Sequence, residues 1–342
     1  MLSNRKSQQV WDVVLFCIAE CLPQQVETIL TGDVVNSFFN KDHLFQHTER
    51  MHILKSMLTV PGVDFERVLP CLETLLEIAS TPSDPFTVSG NIMIAITGAS
   101  NIALRFRESV RYFINNPPKL QRIVELMHNK DFDFCNHVLY LLLELARLTE
   151  DMKAEFKQAL LDQTNILGEI SLVLDDKNNP LLVNSALRLL TELIFLDIMT
   201  GVRVFSHGQL LQQVKSYIGR DDLAIVTFMG ILEQLDTQPQ YVETVLEHGI
   251  IAALCYGLNF PVHEDLPSLL EILELALNAG ELLVDGEKVL FNPVALHIAE
   301  IDALDAFKKL DEGGKLTQKF FGEKYEEYLA RRRGLKTKKA NA

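Results

Sequence analysis

Four glutamates recur along the chain at nearly constant spacing. They are Glu144, Glu192, Glu233 and Glu274, separated by 48, 41 and 41 residues, and each follows an apolar or threonine residue in a leucine-rich run. Side chains that recur at the period of a repeat lie in one row when the repeats stack. Such a carboxylate row would pair with successive lysine or arginine side chains of an extended ligand. Alternatively, each helix simply exposes one favourable helix former to solvent.

The end of the chain carries the opposite charge. A basic tail is formed by six residues within nine positions: Arg331, Arg332, Arg333, Lys336, Lys338 and Lys339. We predict that residues 331–342 are disordered, and three interpretations stay open. The tail is a solvated end that favours the helix dipole, a nuclear localisation signal, or a segment that folds back onto the carboxylate row. At up to ~3.3–3.6 Å per residue, it would reach Glu274 and Glu233 rather than Glu144.

Other candidates for chemistry are weaker. His43 and His47 have helical spacing, with His52 just beyond, but no acidic partner completes a metal site. The sequence contains no P-loop, no dinucleotide-binding glycine pattern, no GxSxG elbow and no HExxH. We therefore predict no cofactor, no metal and no enzymatic activity.

Composition indicates the elements that hold these residues. The 342 residues include only 12 Pro and 17 Gly, and few breakers in a leucine-rich chain favour helices. A net charge of −14 disfavours nucleic acid and anionic membrane as partners and would attract a basic ligand. No uncharged apolar run of membrane-spanning length occurs. The five cysteines form no CxxC pair, which predicts reduced, mostly buried thiols in an intracellular protein.

The helices recur with a fixed period. Four similar helices begin near Pro118, Asn165, Gly208 and Gly249, about 41–47 residues apart, and each is followed by a polar break and a longer helix. This period is typical of armadillo/HEAT-type repeats, whose apolar faces are buried by stacking on their neighbours. We predict an all-α, right-handed α-solenoid of about seven repeats over residues 1–330. It would be one domain that ends in a closing helix from about Leu316 to Arg332.

The C-terminal sequence resembles the importin-alpha (karyopherin alpha) family. The segments "YVETVLEHGIIAALCYGLNF", "LLEILELALNAGELLVDGEKV" and "FFGEKYEEY" are similar to the family's last repeats in order, and "NSALRLLTELIFLDIMTG" is similar to an earlier repeat. The resemblance covers Phe134–Tyr328. It implies a groove that binds an extended peptide through Trp and Asn residues four positions apart on the long helices.

Aligned on that pattern, the chain departs from the family in most positions. The Asn positions hold Asn101, Glu144, Glu192, Glu233 and Glu274 (Leu275 on another gapping), so only Asn101 keeps the family residue. The Trp positions hold Thr97, Tyr140, Arg188, Met229 and Leu270, and the single tryptophan, Trp11, lies elsewhere. The family's basic importin-beta-binding segment is also missing, because residues 1–9 offer only Arg5 and Lys6. We therefore expect no tight importin-beta binding through residues 1–40.

These observations predict a protein-binding adaptor. The resemblance implies recognition of basic localisation peptides in nucleocytoplasmic transport, in the cytoplasm and the nucleus. The alternative is an armadillo scaffold or chaperone cofactor for protein assembly that is unconnected with import.

Overall fold

The computed structural model describes residues 64–80, 90–129, 131–147, 150–175, 179–195, 198–218, 222–258, 266–286, 291–301, 303–304 and 315–321. Predictions for Trp11, for the three N-terminal histidines, for the closing helix after residue 321 and for the basic tail lie outside these ranges. The chain divides into two compact units, residues 1–189 and 190–342, which are described separately.

Unit 1 is built from long helices and from shorter helices that connect them. The described helices are α1 (Phe65–Ala79), α2 (Gly90–Arg105), α3 (Glu108–Ile114), α4 (Pro117–Glu125), α5 (Phe132–Arg147), α6 (Glu150–Gln163), α7 (Ile166–Asp175) and the start of α8 (Pro180–Ile194). A 3₁₀ turn, Leu126–His128, extends α4. The long helices α1 and α2 pack together, α2 packs on α5, and α6 contacts α3, α4 and α5.

In unit 2, pairs of short helices precede each long helix. After the end of α8, the unit's described helices are α9 (Ile198–Ser206), α10 (Gly208–Lys215), α11 (Asp222–Glu233), α12 (Val242–Glu247), α13 (Ile250–Gly257), α14 (Leu266–Asp285), α15 (Pro293–Glu300) and α16 (Lys315–Phe320). The 3₁₀ turns Gln234–Asp236 and Pro239–Tyr241 follow α11 and precede α12. The long helices α11 and α14 pack together, and α15 contacts α12, α13 and α14.

The repeating element is therefore two short helices followed by a long one. The second helices α4, α7, α10 and α13 begin at Pro117, Ile166, Gly208 and Ile250, about 42–49 residues apart. The predicted starts lie within one residue of these positions. All regular elements in the described ranges are helices, and no strand occurs there. The prediction of an all-α repeat fold is confirmed.

Local chemistry sets the helix boundaries. Asp131 accepts a hydrogen bond from the Phe134 N–H at 3.0 Å and so caps α5. Pro117 occupies the first turn of α4, where its missing N–H costs nothing. Gly249 has φ 64° between α12 and α13, a left-handed conformation that glycine adopts without strain. Asn292 caps α15 by accepting from the Val294 and Ala295 N–H groups.

Candidate peptide-binding surface

Each long helix is buried except along one face. Between Phe134 and Ala146 of α5, the side chains are buried except at Asn136, His137, Tyr140 and Glu144. Residues three or four apart lie on the same side of a helix, so these four form one stripe along α5. A long helix packed on its other sides can meet a ligand only through this accessible stripe.

The other long helices have the same arrangement. The accessible stripes at their centres comprise Met93, Thr97 and Asn101 on α2; Asn184, Ser185, Arg188, Thr191 and Glu192 on α8; Val226, Met229 and Glu233 on α11; and Leu270, Glu271, Glu274, Leu275 and Asn278 on α14. The predicted groove residues are Asn101, Tyr140, Glu144, Arg188, Glu192, Met229, Glu233, Leu270 and Glu274. All of them lie in these stripes, and none is buried. Their role in binding a ligand stays a prediction.

Within each unit, neighbouring stripes are joined by side chains. In unit 1 the Ser185 hydroxyl donates to Asn136 Oδ1 at 2.7 Å, which links α8 to α5. In unit 2 the Thr191 and Thr227 hydroxyls lie 2.8 Å apart and link α8 to α11. A Cβ at Gly230 of α11 would lie only 3.2 Å from the Phe195 ring at the end of α8. These contacts hold adjacent stripes side by side.

The four carboxylates differ in their surroundings. Glu144 lies 3.7 Å from the Arg147 guanidinium on its own helix, and Glu274 lies 3.7 Å from the Lys319 ammonium of α16. Glu233 is exposed at the end of α11, and Glu192 is half-buried. Partly exposed carboxylates remain able to exchange one cationic partner for another, because surface ion pairs are weak.

Two residues of this surface were not predicted from the sequence. Asn278 lies one turn beyond Glu274, and its Oδ1 accepts a hydrogen bond from the Lys319 ammonium at 2.9 Å. The i, i+4 spacing from Glu274 would have identified Asn278. Lys319 could not be found in the same way, because the closing helix is not part of the repeat pattern.

Asn101, the one family residue retained, has an unusual feature. Its side chain is half-buried, and its Nδ2 atom is inaccessible without a hydrogen-bond partner among the described residues. Buried donors normally have a partner, and an unsatisfied one costs roughly 1–3 kcal/mol. The nearby Thr97 hydroxyl donates to the Met93 carbonyl of its own helix at 2.8 Å. Because Nδ2 is inaccessible, Asn101 does not present its amide donor to a ligand in this arrangement.

A second titratable cluster lies outside the stripes, in unit 1. Glu169 of α7 is 3% exposed, and its Oε2 lies 3.2 Å from His128 Nδ1. The same Nδ1 is 3.2 Å from the Glu125 carbonyl oxygen, so the ring N–H cannot satisfy both acceptors fully. Burial raises the pKa of the Glu169 carboxyl, while the charge of His128 and a hydrogen bond from Asn165 oppose that rise.

The described cysteines are buried thiols. Cys71, Cys135 and Cys255 are free, and burial raises the pKa of each to about 12. The predicted burial of the cysteines is confirmed for these three. Within the described ranges, no three His, Cys, Asp or Glu side chains come together as metal ligands. None of the helices in those ranges combines the length and apolarity needed to cross a membrane.

No family model and no curated protein matches the chain. Solved structures do match it. One engineered protein has a TM-score of 0.52 at 12% identity and covers 74% of this chain and 97% of its own. Another has a TM-score of 0.54 at 13% identity, with coverages of 87% and 73%. A designed armadillo repeat protein, solved in complex with the peptide (KR)4, has a TM-score of 0.50 at 15% identity, with coverages of 75% and 95%.

At these identities the likeness concerns the fold. The three-helix repeats and the match to a designed armadillo protein agree, so the chain has an all-α, armadillo-type repeat fold. The prediction of armadillo-type repeats is confirmed.

Proposed function

We propose that the accessible stripes of the long helices bind an extended segment of a partner protein, and that this segment is rich in lysine and arginine. The observation that carries the proposal is that each long helix is open along one stripe only, and that four successive stripes contain a partly exposed glutamate. The designed armadillo protein in complex with (KR)4 supports the same use of this fold. Repeat scaffolds of this kind ordinarily bind other proteins rather than catalyse reactions.

Affinity must come from several contacts acting together. An exposed ion pair contributes only ~0.2–1 kcal/mol, so one carboxylate cannot hold a peptide. Several carboxylates along one ligand, such as Glu192, Glu233 and Glu274 of unit 2, convert weak pairs into useful affinity by multivalency. Tyr140, which is 51% exposed, adds an aromatic face on which an arginine or lysine side chain can rest.

The stripe of α8 should impose selectivity. Arg188 is exposed one turn before Glu192 and places a positive charge among the carboxylates. A ligand with a neutral or acidic residue opposite Arg188 would avoid like-charge repulsion there. A uniformly basic segment is therefore not the optimal ligand.

A binding experiment tests the proposal. Fluorescence anisotropy of a labelled (Lys-Arg)4 peptide would be compared for the wild-type chain and for the Glu233→Gln/Glu274→Gln variant. Loss of two exposed pairs should weaken binding about two- to thirty-fold at low salt. The matched control is Glu155→Gln/Glu243→Gln, which removes two exposed carboxylates from α6 and α12, outside the stripes. An equal loss in the control, or no saturable binding by the wild type, would contradict the proposal.

We further infer that the adaptor acts in nucleocytoplasmic transport and is found in the cytoplasm and the nucleus. The resemblance of residues Phe134–Tyr328 to importin-alpha supports this inference. The replacement of the family's tryptophans by Tyr140, Arg188, Met229 and Leu270 favours the alternative, an assembly scaffold or chaperone cofactor. A transport adaptor should carry a reporter fused to its captured ligand into nuclei of permeabilised cells. A scaffold should bind that reporter and leave it outside.

A further inference from the structure

Lys319 connects the last described helix to the end of the carboxylate row. Its ammonium donates to Asn278 Oδ1 at 2.9 Å and lies 3.7 Å from Glu274 Oε1. Both acceptors belong to the accessible stripe of α14, one turn apart. The lysine is separated from Asn278 by 41 residues of sequence, so α16 brings it to this stripe from outside the repeat.

The contact has the chemistry that a basic ligand would use. An ammonium has three donor hydrogens, and here one is donated to the Asn278 amide oxygen, while the Glu274 carboxylate attracts the charge from 3.7 Å. The Lys319 side chain is 52% exposed and that of Glu274 is 42% exposed, so the pair is open to solvent and to exchange. The Lys319 ammonium also lies 4.5 Å from the Phe320 ring centre, which holds it near the surface.

We propose that Lys319 is an internal occupant of the C-terminal end of the carboxylate row, and that a basic ligand reaches Glu274 and Asn278 only by displacing it. The proposal rests on the proposed function, because it names the regulation of the same surface. The closing helix thereby sets how much of the row is open to a ligand. The stripes that precede α14 remain available while this position is filled.

The size of the effect follows from the weakness of the contact. An exposed pair worth ~0.2–1 kcal/mol corresponds to an occupied-to-open ratio of about 1.4–5. Because a ligand can still use the preceding stripes, apparent affinity falls at most by the fraction of molecules that are open, so removing the occupant should tighten binding by up to about six-fold. The gain should shrink at high salt, because exposed charges are screened beyond ~8 Å at physiological ionic strength.

The test is a double-mutant cycle read by peptide anisotropy. Labelled (Lys-Arg)4 would be titrated into wild type, Lys319→Gln, Glu274→Gln and the double variant at low salt. Lys319→Gln should bind up to about six-fold more tightly than wild type, and the same change should have a smaller effect in the Glu274→Gln background, where only Asn278 still holds the ammonium. Lys319→Arg retains the charge and should bind like wild type. Lys153→Gln, on α6 outside the stripes, is the matched control for the lost charge.

The outcomes separate the two proposals. In one outcome, wild type binds the peptide and Glu233→Gln/Glu274→Gln weakens binding, but Lys319→Gln binds no better than Lys153→Gln. Lys319 is then not an internal occupant, and the proposed function stands. If Lys319→Gln tightens binding equally with and without Glu274, the gain comes from the change in net charge, and the proposal that Lys319 is an internal occupant is again refuted. If neither wild type nor Lys319→Gln binds the peptide saturably, both proposals fail.

Discussion

At the scale of single residues, the most informative side chain is a buried carboxyl. Glu169 is a residue of α7 and is buried beside the turn that follows α4. Its ion-pair partner, His128, is exposed. Hydropathy patterning assigns a glutamate to the surface, so the sequence did not predict this burial. The burial depends on contacts with residues about forty positions earlier in the sequence, and the repeat period alone does not predict such contacts.

The Glu169 carboxyl makes stability depend on pH. Burial raises its pKa above the ordinary value of 4.5, so the folded state holds the proton more tightly than the unfolded state. Its contribution is therefore fully present at low pH and is lost as pH rises from 4.5 through the raised value. We expect Glu169→Gln to flatten this part of the profile and to raise the free energy of unfolding at pH 8 relative to wild type.

Thermal unfolding between pH 4 and pH 8 would measure the difference. Glu155→Gln, at an exposed position of α6, is the control and should leave the profile unchanged. A Glu169→Gln variant that loses stability equally at both pH values would show that the carboxylate is well accommodated.

The buried cysteines give a second residue-scale prediction. A pKa of about 12 in place of 9.0 lowers the thiolate fraction of Cys71, Cys135 and Cys255 about a thousand-fold, and burial restricts access further. Iodoacetamide at pH 8 should therefore leave these three thiols unmodified in the native protein and alkylate them in denaturant. Peptide mass spectrometry reads each site separately, and native alkylation of any of the three would contradict its burial.

At the scale of elements, Asn292 shows how a loop residue fixes two helices. Its Oδ1 accepts from two N–H groups of α15, and its Nδ2 donates to the Leu277 carbonyl and to Glu281 Oε1 of α14, at 2.7 and 2.9 Å. Gly280 faces this amide, and a Cβ there would lie 2.6 Å from Asn292 Cγ. The glycine is needed for close approach within a long helix.

Gly280→Ala should therefore destabilise the protein despite alanine's higher helix propensity. Displacing the cap costs ~0.5–2 kcal/mol and leaving buried polar groups unsatisfied costs ~1–3 kcal/mol, while the propensity gain is only ~1 kcal/mol. We expect a net loss of about 1–3 kcal/mol in urea unfolding. At Gly257 a Cβ would lie 3.5 Å from Leu269, an ordinary contact, so Gly257→Ala is the matched control. Equal effects of the two changes would refute the steric argument.

The elements could be predicted where the pattern repeats. Helix starts at Pro117, Ile166, Gly208 and Ile250 lie beside turn residues, and their spacing follows directly from the sequence. The accessible stripe was also predictable, because a residue at the repeat period keeps its direction on each long helix. The contacts of Lys319 and Asn292 were not predictable, because they join segments whose separation along the sequence does not match the repeat period.

At the scale of the whole molecule, charge distribution leads to two further predictions. The first concerns the N-terminal residues, which lie outside the described ranges. Because residues 1–9 contain only two basic side chains, we expect no tight binding of importin-beta through residues 1–40. Surface plasmon resonance with immobilised importin-beta measures this binding. Submicromolar affinity that disappears when residues 1–40 are deleted would overturn the prediction.

The second concerns the basic tail, which also lies outside the described ranges. A tethered segment has a high effective concentration, so the tail should compete with basic peptides near Glu274 and Glu233. A chain that ends at Ala330 should bind (Lys-Arg)4 more tightly than the full chain at low salt, and the difference should vanish at high salt. Because the tail and Lys319 would compete for the same carboxylate, Glu274, their effects should not simply add. Unchanged affinity at low salt would show that the tail is not a competitor.

The restriction of each long helix to one accessible stripe also has an evolutionary consequence. Residues that pack the repeats and residues of the accessible stripes occupy different positions on the same helix. Under the proposed function, selection for folding and selection for partner choice would act on separate sets of side chains. Changes at Tyr140, Arg188, Met229 or Leu270 can accumulate with little effect on the core. Related chains could thus diverge in ligand while retaining the apolar positions between stripes, and sequence similarity among them would persist longest in buried residues.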